Sequence, residues 1–97
     1  MKITREALAG TAESSDLMVK VAPNGSALEV EIHSEVYKQF GDQIRQVVHE
    51  TLHAMGVDAG LIIIDDKGAL DCVIRARLQS ALLRAAEEQA INWEVLK

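Results

Sequence analysis

The sequence predicts an α+β fold, a two-layer sandwich in which a three- or four-stranded, mainly antiparallel sheet carries two helices on one face. Three observations lead there. Two runs alternate apolar and polar residues with period two, Leu17–Ala22 and Leu28–His33. Two longer stretches repeat apolar residues every three or four positions. Between these lies Leu61-Ile62-Ile63-Ile64, short, wholly apolar and mostly β-branched. Period two marks a half-buried strand, period 3.6 an amphipathic helix, and a short β-branched run a buried strand. Strands on one side of helices in this order suit two packed layers.

The elements follow in order. Thr4 is a plausible N-cap for a brief helical turn over residues 5–9, with Gly10 as its stop. Gly10-Thr11-Ala12-Glu13-Ser14-Ser15-Asp16 has nothing to bury and reads as an exposed, flexible loop. Leu17, Val19 and Val21 form one face of the first strand, and Leu28, Val30 and Ile32 one face of the next. Pro23-Asn24-Gly25-Ser26 between them predicts a hairpin, because Asn and Gly tolerate positive φ. In that hairpin Lys20 would face a glutamate across the ladder.

Ser34 is the expected cap of the first helix. Its stripe is Val36, Phe40, Ile44, Val47, Val48, Leu52 and Met55, with Gly56 as the stop. Gly41 inside the pattern costs about 1 kcal/mol relative to Ala and predicts a break there. The second helix is expected over residues 69–89, with Leu70, Ile74, Leu78, Ala81, Leu82 and Ala85 facing the core. Residues 91–96 alternate weakly and suggest a further strand.

Composition narrows the function. The chain has 97 residues, enough for one domain over 1–97 and one modest core. Its net charge is -5 and only 3% of residues are aromatic. Nucleic acid would be repelled and would find almost nothing to stack on, and an anionic membrane surface is disfavoured too. No apolar run approaches a membrane span, and Met1-Lys2-Ile3-Thr4-Arg5-Glu6 lacks an apolar signal core. With one cysteine no internal disulfide forms. A cytoplasmic location is expected, and a carrier, adaptor or subunit is favoured over a free-standing enzyme.

The most conspicuous motif is His49-Glu50-Thr51-Leu52-His53, the H-E-x-x-H of zinc peptidases. Three points oppose that reading. The third-ligand spacing lands on Ala59, with Asp58 one residue short. On a helical wheel centred on Ile44, His49 and His53 lie about 140–180° from the apolar stripe. A chain of this size leaves no substrate cleft. Both histidines are therefore expected on the wet face, with no metal site. Cys72 near a helix start has the position of an activated thiol but is expected as a small buried side chain. Asp65 and Asp66 have the chemistry of paired acids or hard-metal ligands, yet with Lys67-Gly68 they read as a solvated turn. His33 at a strand end is uninformative. Ser14 and Ser15 have no neighbouring base and no nucleophile elbow, so they are poor catalytic serines. As acceptors of a covalent group, exposed and flanked by small and acidic residues, they are good candidates.

Three segments resemble the acyl carrier protein, or gamma subunit, of bacterial citrate lyase. The first is Met1-Lys2-Ile3 with Ala9-Gly10-Thr11-Ala12-Glu13-Ser14-Ser15-Asp16-Leu17-Met18-Val19. The second is Lys38-Gln39-Phe40-Gly41-Asp42 with Ile44. The third and most specific is Asp65-Asp66-Lys67-Gly68-Ala69-Leu70-Asp71-Cys72, running on into Arg75-Ala76-Arg77-Leu78. The likeness spans nearly the whole chain. It implies a carrier with no catalytic residues of its own, bearing a covalent prosthetic group, 2'-(5''-phosphoribosyl)-3'-dephospho-CoA, joined by a phosphodiester to the serine that matches Ser14. The family allows glycine where Ser15 stands, which points to Ser14 as the anchor. The resemblance further implies three partners: the alpha subunit, which exchanges acetyl for citrate, the beta subunit, which cleaves the citryl thioester to oxaloacetate, and the transferase that installs the group. The family is not known for H-E-x-x-H, so His49 and His53 are read as local variation. A carrier for malonate decarboxylase or citramalate lyase is the alternative, and a zinc peptidase using His49, Glu50 and His53 a remote one. On this reading the Leu61–Ile64 strand or the segment around Trp93 supplies a docking patch, and the acidity favours basic partner surfaces.

Overall fold

The computed structural model describes residues 1–86. It contains β1 (Ala7–Gly10), β2 (Leu17–Ala22), β3 (Leu28–Ser34), α1 (Tyr37–Ala54), β4 (Gly60–Asp66) and α2 (Asp71–Ala85). The four strands form one sheet in the order β1-β2-β4-β3, with α1 and α2 packed on one face. The expected two-layer α+β sandwich is therefore present. Two of the three strand interfaces, β1 with β2 and β2 with β4, are antiparallel, and β3 with β4 is parallel.

Alternation sets the layers. Leu17, Val19 and Val21 on β2 and Ile62 and Ile64 on β4 are fully buried beneath the helices. Val30 and Ile32 stand in register with Ile62 and Ile64 and extend the same face. Ile44, Val48 and Leu52 of α1 and Ile74, Leu78, Ala81 and Leu82 of α2 close the core from above. Each buried aliphatic side chain of this size contributes about 1.5–3 kcal/mol of burial free energy. Lys20, Glu29, Glu31 and Asp65 project from the opposite face and are exposed.

The predicted β2–β3 hairpin does not form. The turn itself is present, with the Ala27 amide donating to the Asn24 carbonyl at 3.1 Å and Gly25 at φ 56. The strands it joins are separated by β4, which is more apolar than β3 and takes the place beside β2 inside the sheet, where burial is greater than at the edge. Lys20 therefore pairs with Leu8 and Ile63 rather than with a glutamate. β3 runs parallel to β4 because the 18-residue α1 supplies the long crossover a parallel pair needs.

The N-terminal helical turn is also replaced. Residues 7–10 pair with β2 as an edge strand. Thr4 and Arg5 donate their amides to the Ala85 carbonyl at 2.9 and 3.2 Å, and the Arg5 side chain reaches the Arg84 and Ala86 carbonyls. Thr4 thus serves the end of α2, where helix carbonyls lack internal partners, instead of starting a helix.

Helix α1 runs unbroken through Gly41, which is buried. A Cβ there would fall 2.8 Å from the Tyr37 ring, so the glycine makes room for that ring. Ser34 does not cap α1. Its hydroxyl accepts from the Val36 amide and donates to Asp66 Oδ2 at 2.7 Å. The proposed strand at 91–96, the last residues of the second helix and Trp93 lie outside the described residues.

Candidate functional site

The loop from Thr11 to Asp16 joins β1 to β2 and carries Ser14 at an exposed tip. Its flanks are tied rather than loose. Gly10 turns the chain at φ 92, pressed so closely against the Leu17 carbonyl that a Cβ has no room. The Thr11 amide donates to Leu17 O at 3.1 Å and closes the base of the loop. Asp16 then gathers three donors. Thr11 Oγ1 donates to Oδ2 at 2.6 Å, the Leu17 amide to Oδ1 at 2.8 Å, and Arg77 of α2 to both oxygens at 3.1 and 2.9 Å. The Thr11 hydroxyl, then Arg77, then the Leu17 amide hold this carboxyl down at about 2, below its ordinary 3.8.

A second tie reaches across to the segment after β4. The Ser15 amide donates to the Lys67 carbonyl at 2.8 Å, and the Lys67 amide to the Asp16 carbonyl at 2.9 Å. Ser15 adopts φ 65, a left-handed conformation that glycine takes without penalty and other residues take rarely. Its amide and backbone are thus committed to holding the loop. Ser14 is exposed, and its hydroxyl enters none of the hydrogen bonds among the described residues.

Asp66 explains why the Lys67 carbonyl stands where it does, and here the solvated-turn reading of Asp65 and Asp66 is corrected. Asp65 does face solvent, but Asp66 is fully buried at the inward end of β4. It accepts from the Ser34 hydroxyl at 2.7 Å, the Gly68 amide at 3.1 Å and the Ala69 amide at 2.9 Å. One carboxylate therefore folds the turn into α2. A period-two reading carried two residues beyond Ile64 puts Asp66 on the inner face, and that was the available signal. Lys67 lies between Glu35 at 3.4 Å and Asp65 at 3.7 Å. Its hydrogen bond to Glu35 raises its pKa, and the Asp65 charge adds to this.

The same turn borders a groove of about 480 Å³ between the start of α1 and the start of α2. Val36, Phe40, Ile44, Ala69, Leu70 and Cys72 make its apolar wall, and Gln43 and Asp71 are polar members. Gln43 Nε2 donates to both Asp71 oxygens at 3.0 Å. Two residues expected in the core stand here instead. Phe40 is 48% exposed and Leu70 71% exposed. Cys72, expected to be buried, is exposed on this wall.

The structure does not assemble a peptidase centre. His49, Glu50 and His53 all lie exposed on the outer side of α1, with Gln46 Nε2 donating to Glu50 at 2.9 Å. Among the described residues no cluster of three or more His, Cys, Asp or Glu could hold a metal ion. None of the described helices is long and apolar enough to cross a membrane.

The family model for the malonate decarboxylase delta subunit, an ACP family, matches residues 4–85. The citrate lyase acyl carrier protein of Enterobacter sp. (strain 638) is 78% identical over 96% of both chains. This chain belongs to the citrate lyase acyl carrier protein family. The Cronobacter sakazakii member is 73% identical over the full length of both chains, and the Albidiferax ferrireducens member 55%. A chain of the crystal structure of a Pseudomonas malonate decarboxylase hetero-tetramer in complex with malonate matches with TM-score 0.66 and 21% identity. That match covers 89% of this chain and 93% of the other. It shows a shared fold. Members of the family are acyl carriers, so the chain is a carrier subunit and not itself a catalyst.

Proposed function

We propose that Ser14 is the attachment point of the phosphoribosyl-dephospho-CoA group, through which this carrier serves the alpha and beta subunits of a cytoplasmic citrate lyase. One observation carries the assignment. At the exposed tip of the loop Ser14 and Ser15 both present hydroxyls with no partner among the described residues, but Ser15 is held at φ 65 with its amide tied to the Lys67 carbonyl, which leaves Ser14 the less constrained acceptor. The surroundings fit a large anionic group joined by a phosphodiester. Arg77 and Lys67 flank the loop, and the groove beside it offers room.

Bound there, the group would supply a thiol that carries acetyl or citryl as a thioester. The chain's own residues anchor, orient and present. Asp16, Thr11 and Arg77 fix the loop base, and the Lys67 carbonyl fixes Ser15, so the anchor projects from a rigid body. A tether on a fixed point meets two active sites at high effective concentration, about millimolar for a short flexible link. A carrier for malonate decarboxylase is the second reading, favoured by the matching family model; relatives at 73–78% identity weigh for citrate lyase. Co-expression with the citrate lyase modification enzymes should raise the intact mass by one phosphoribosyl-dephospho-CoA unit, and Ser14→Ala should abolish the rise. An unchanged wild-type mass beside an active transferase control refutes the assignment.

A further inference from the structure

The groove between α1 and the start of α2 is unexplained by anchoring alone. It leaves Phe40 and Leu70, two large apolar side chains, open to water at the one place where both helical stripes depart from burial. Its position relative to the anchor is fixed by a hydrogen bond. The Ser15 amide meets the Lys67 carbonyl at 2.8 Å, and Gly68, the next residue, lines the groove. With standard backbone dimensions, the Cα atoms of Ser14 and Gly68 lie within about 9 Å of each other.

We infer that this groove receives the adenine base of the group carried on Ser14, an inference that rests on the proposed attachment. Covalent order favours the base. From the serine the group runs through a phosphodiester and a ribose to the adenosine ribose and its adenine, and only then through the diphosphate to pantetheine. The base is thus the apolar part held nearest the groove. Charge agrees. Asp71 is an acidic residue and no Lys or Arg among the described residues lines the groove, so a diphosphate or the carboxylates of a citryl group are disfavoured there, whereas a neutral base is not. The polar members suit adenine in particular. Gln43 and Asp71 retain acceptor oxygens for its exocyclic amine, the edge that Gln and acidic side chains read in nucleobases. Phe40 and Leu70 supply apolar surface for its faces. Seating the base shortens the free tether to the diphosphate and pantetheine, so the thioester swings from a defined point beside the α2 turn.

Cys72, the only cysteine, lines the groove and reports on its occupancy. The probe is iodoacetamide, with alkylation of the Cys72 peptide followed by mass spectrometry in the apo carrier and in the acetylated, Ser14-loaded carrier. Loading should slow Cys72 alkylation at least about fivefold, as expected for an intramolecular ligand at millimolar effective concentration. Leu70→Asp, compared in fully loaded carrier as verified by intact mass, should restore the alkylation rate of its own apo form. Treatment with a nucleotide pyrophosphatase hydrolyses the diphosphate, releasing 4'-phosphopantetheine and leaving adenosine 5'-phosphate on the protein, and protection should survive it. Loss of protection after that cleavage would place the pantetheine arm in the groove and overturn the inference. Equal rates in apo and loaded protein would overturn it while leaving the attachment intact. Failure of the mass to rise at all would remove both.

Discussion

Replacing Asp66 by alanine should be among the most damaging single changes near the site. The carboxylate is fully buried and accepts from the Ser34 hydroxyl and from the Gly68 and Ala69 amides. The Ser34 hydroxyl cannot simply turn away, because its oxygen also receives the Val36 amide. Truncation leaves two backbone donors and one hydroxyl without partners. At 1–3 kcal/mol for each stranded group, partly relieved by water at the turn, the loss is about 3–5 kcal/mol. Against the roughly 5–15 kcal/mol of a domain this size, that is a large fraction. It corresponds to a fall in Tm of roughly 15–30 °C. Asp66→Asn should fall between wild type and Asp66→Ala, since its remaining oxygen can serve Ala69 while its amide group confronts the Gly68 donor. Urea unfolding followed by far-UV circular dichroism measures the difference, with an unchanged m-value showing that the native and unfolded states are otherwise comparable. Hydrogen exchange at the Ser15 amide should accelerate in Asp66→Asn, because Asp66 positions the turn whose Lys67 carbonyl receives it. A loss below about 1 kcal/mol in Asp66→Ala would refute the assignment of this residue as the organiser of the turn.

Other changes have different signatures. Gly10→Ala must adopt a positive φ while forcing a Cβ against the Leu17 carbonyl, and should lose about 1–3 kcal/mol or more in the same assay. Ser15→Gly relieves the left-handed strain at a cost in unfolded-state entropy, so stability should stay within about 1 kcal/mol and the mass gain on loading should persist. Asp16, held at about 2 against an ordinary 3.8, stays ionised in the folded chain at pH values where the unfolded chain takes up the proton. Its contribution is therefore complete above about pH 4 and is lost as pH falls through about 2, so Asp16→Asn should flatten the rise of stability with pH across that window. His53→Ala sits on an exposed helix face and should change stability by no more than about 0.5 kcal/mol, with zinc content after dialysis the same as in wild type.

Much of this molecule is legible in its sequence where a single periodicity decides the outcome. The inner face of β2, the buried stripe from Ile44 to Met55 and the wet position of His49 and His53 follow from spacing alone, whereas the continuous run Leu61–Ile64 marks a buried strand without showing that Ile62 and Ile64 are its inner side. Strand order is not legible in that way. The turn at Asn24-Gly25 forms, yet whether its strands become neighbours depends on β4, which is more apolar and displaces β3 from β2. The edge strand β1 is hidden because Ala7–Gly10 has no pattern of its own and is defined by pairing to β2. At the site, the exposure of Ser14 was legible from composition. The ties that make its loop a rigid platform join residues up to 61 positions apart, as in Arg77 to Asp16, and no local rule reports them. Phe40 and Leu70 show the same limit in reverse: each fits a helical stripe, but near the helix starts no element among the described residues covers that part of the stripe.

The most direct test of Ser14 as the anchor is fragmentation mass spectrometry of the peptide that spans Thr11–Asp16, taken from carrier loaded by its transferase. Site-resolved fragments should place the whole added mass on Ser14 and none on Ser15. The added mass on Ser15, or an unmodified peptide from a carrier that supports citrate cleavage with its partner subunits, would contradict it.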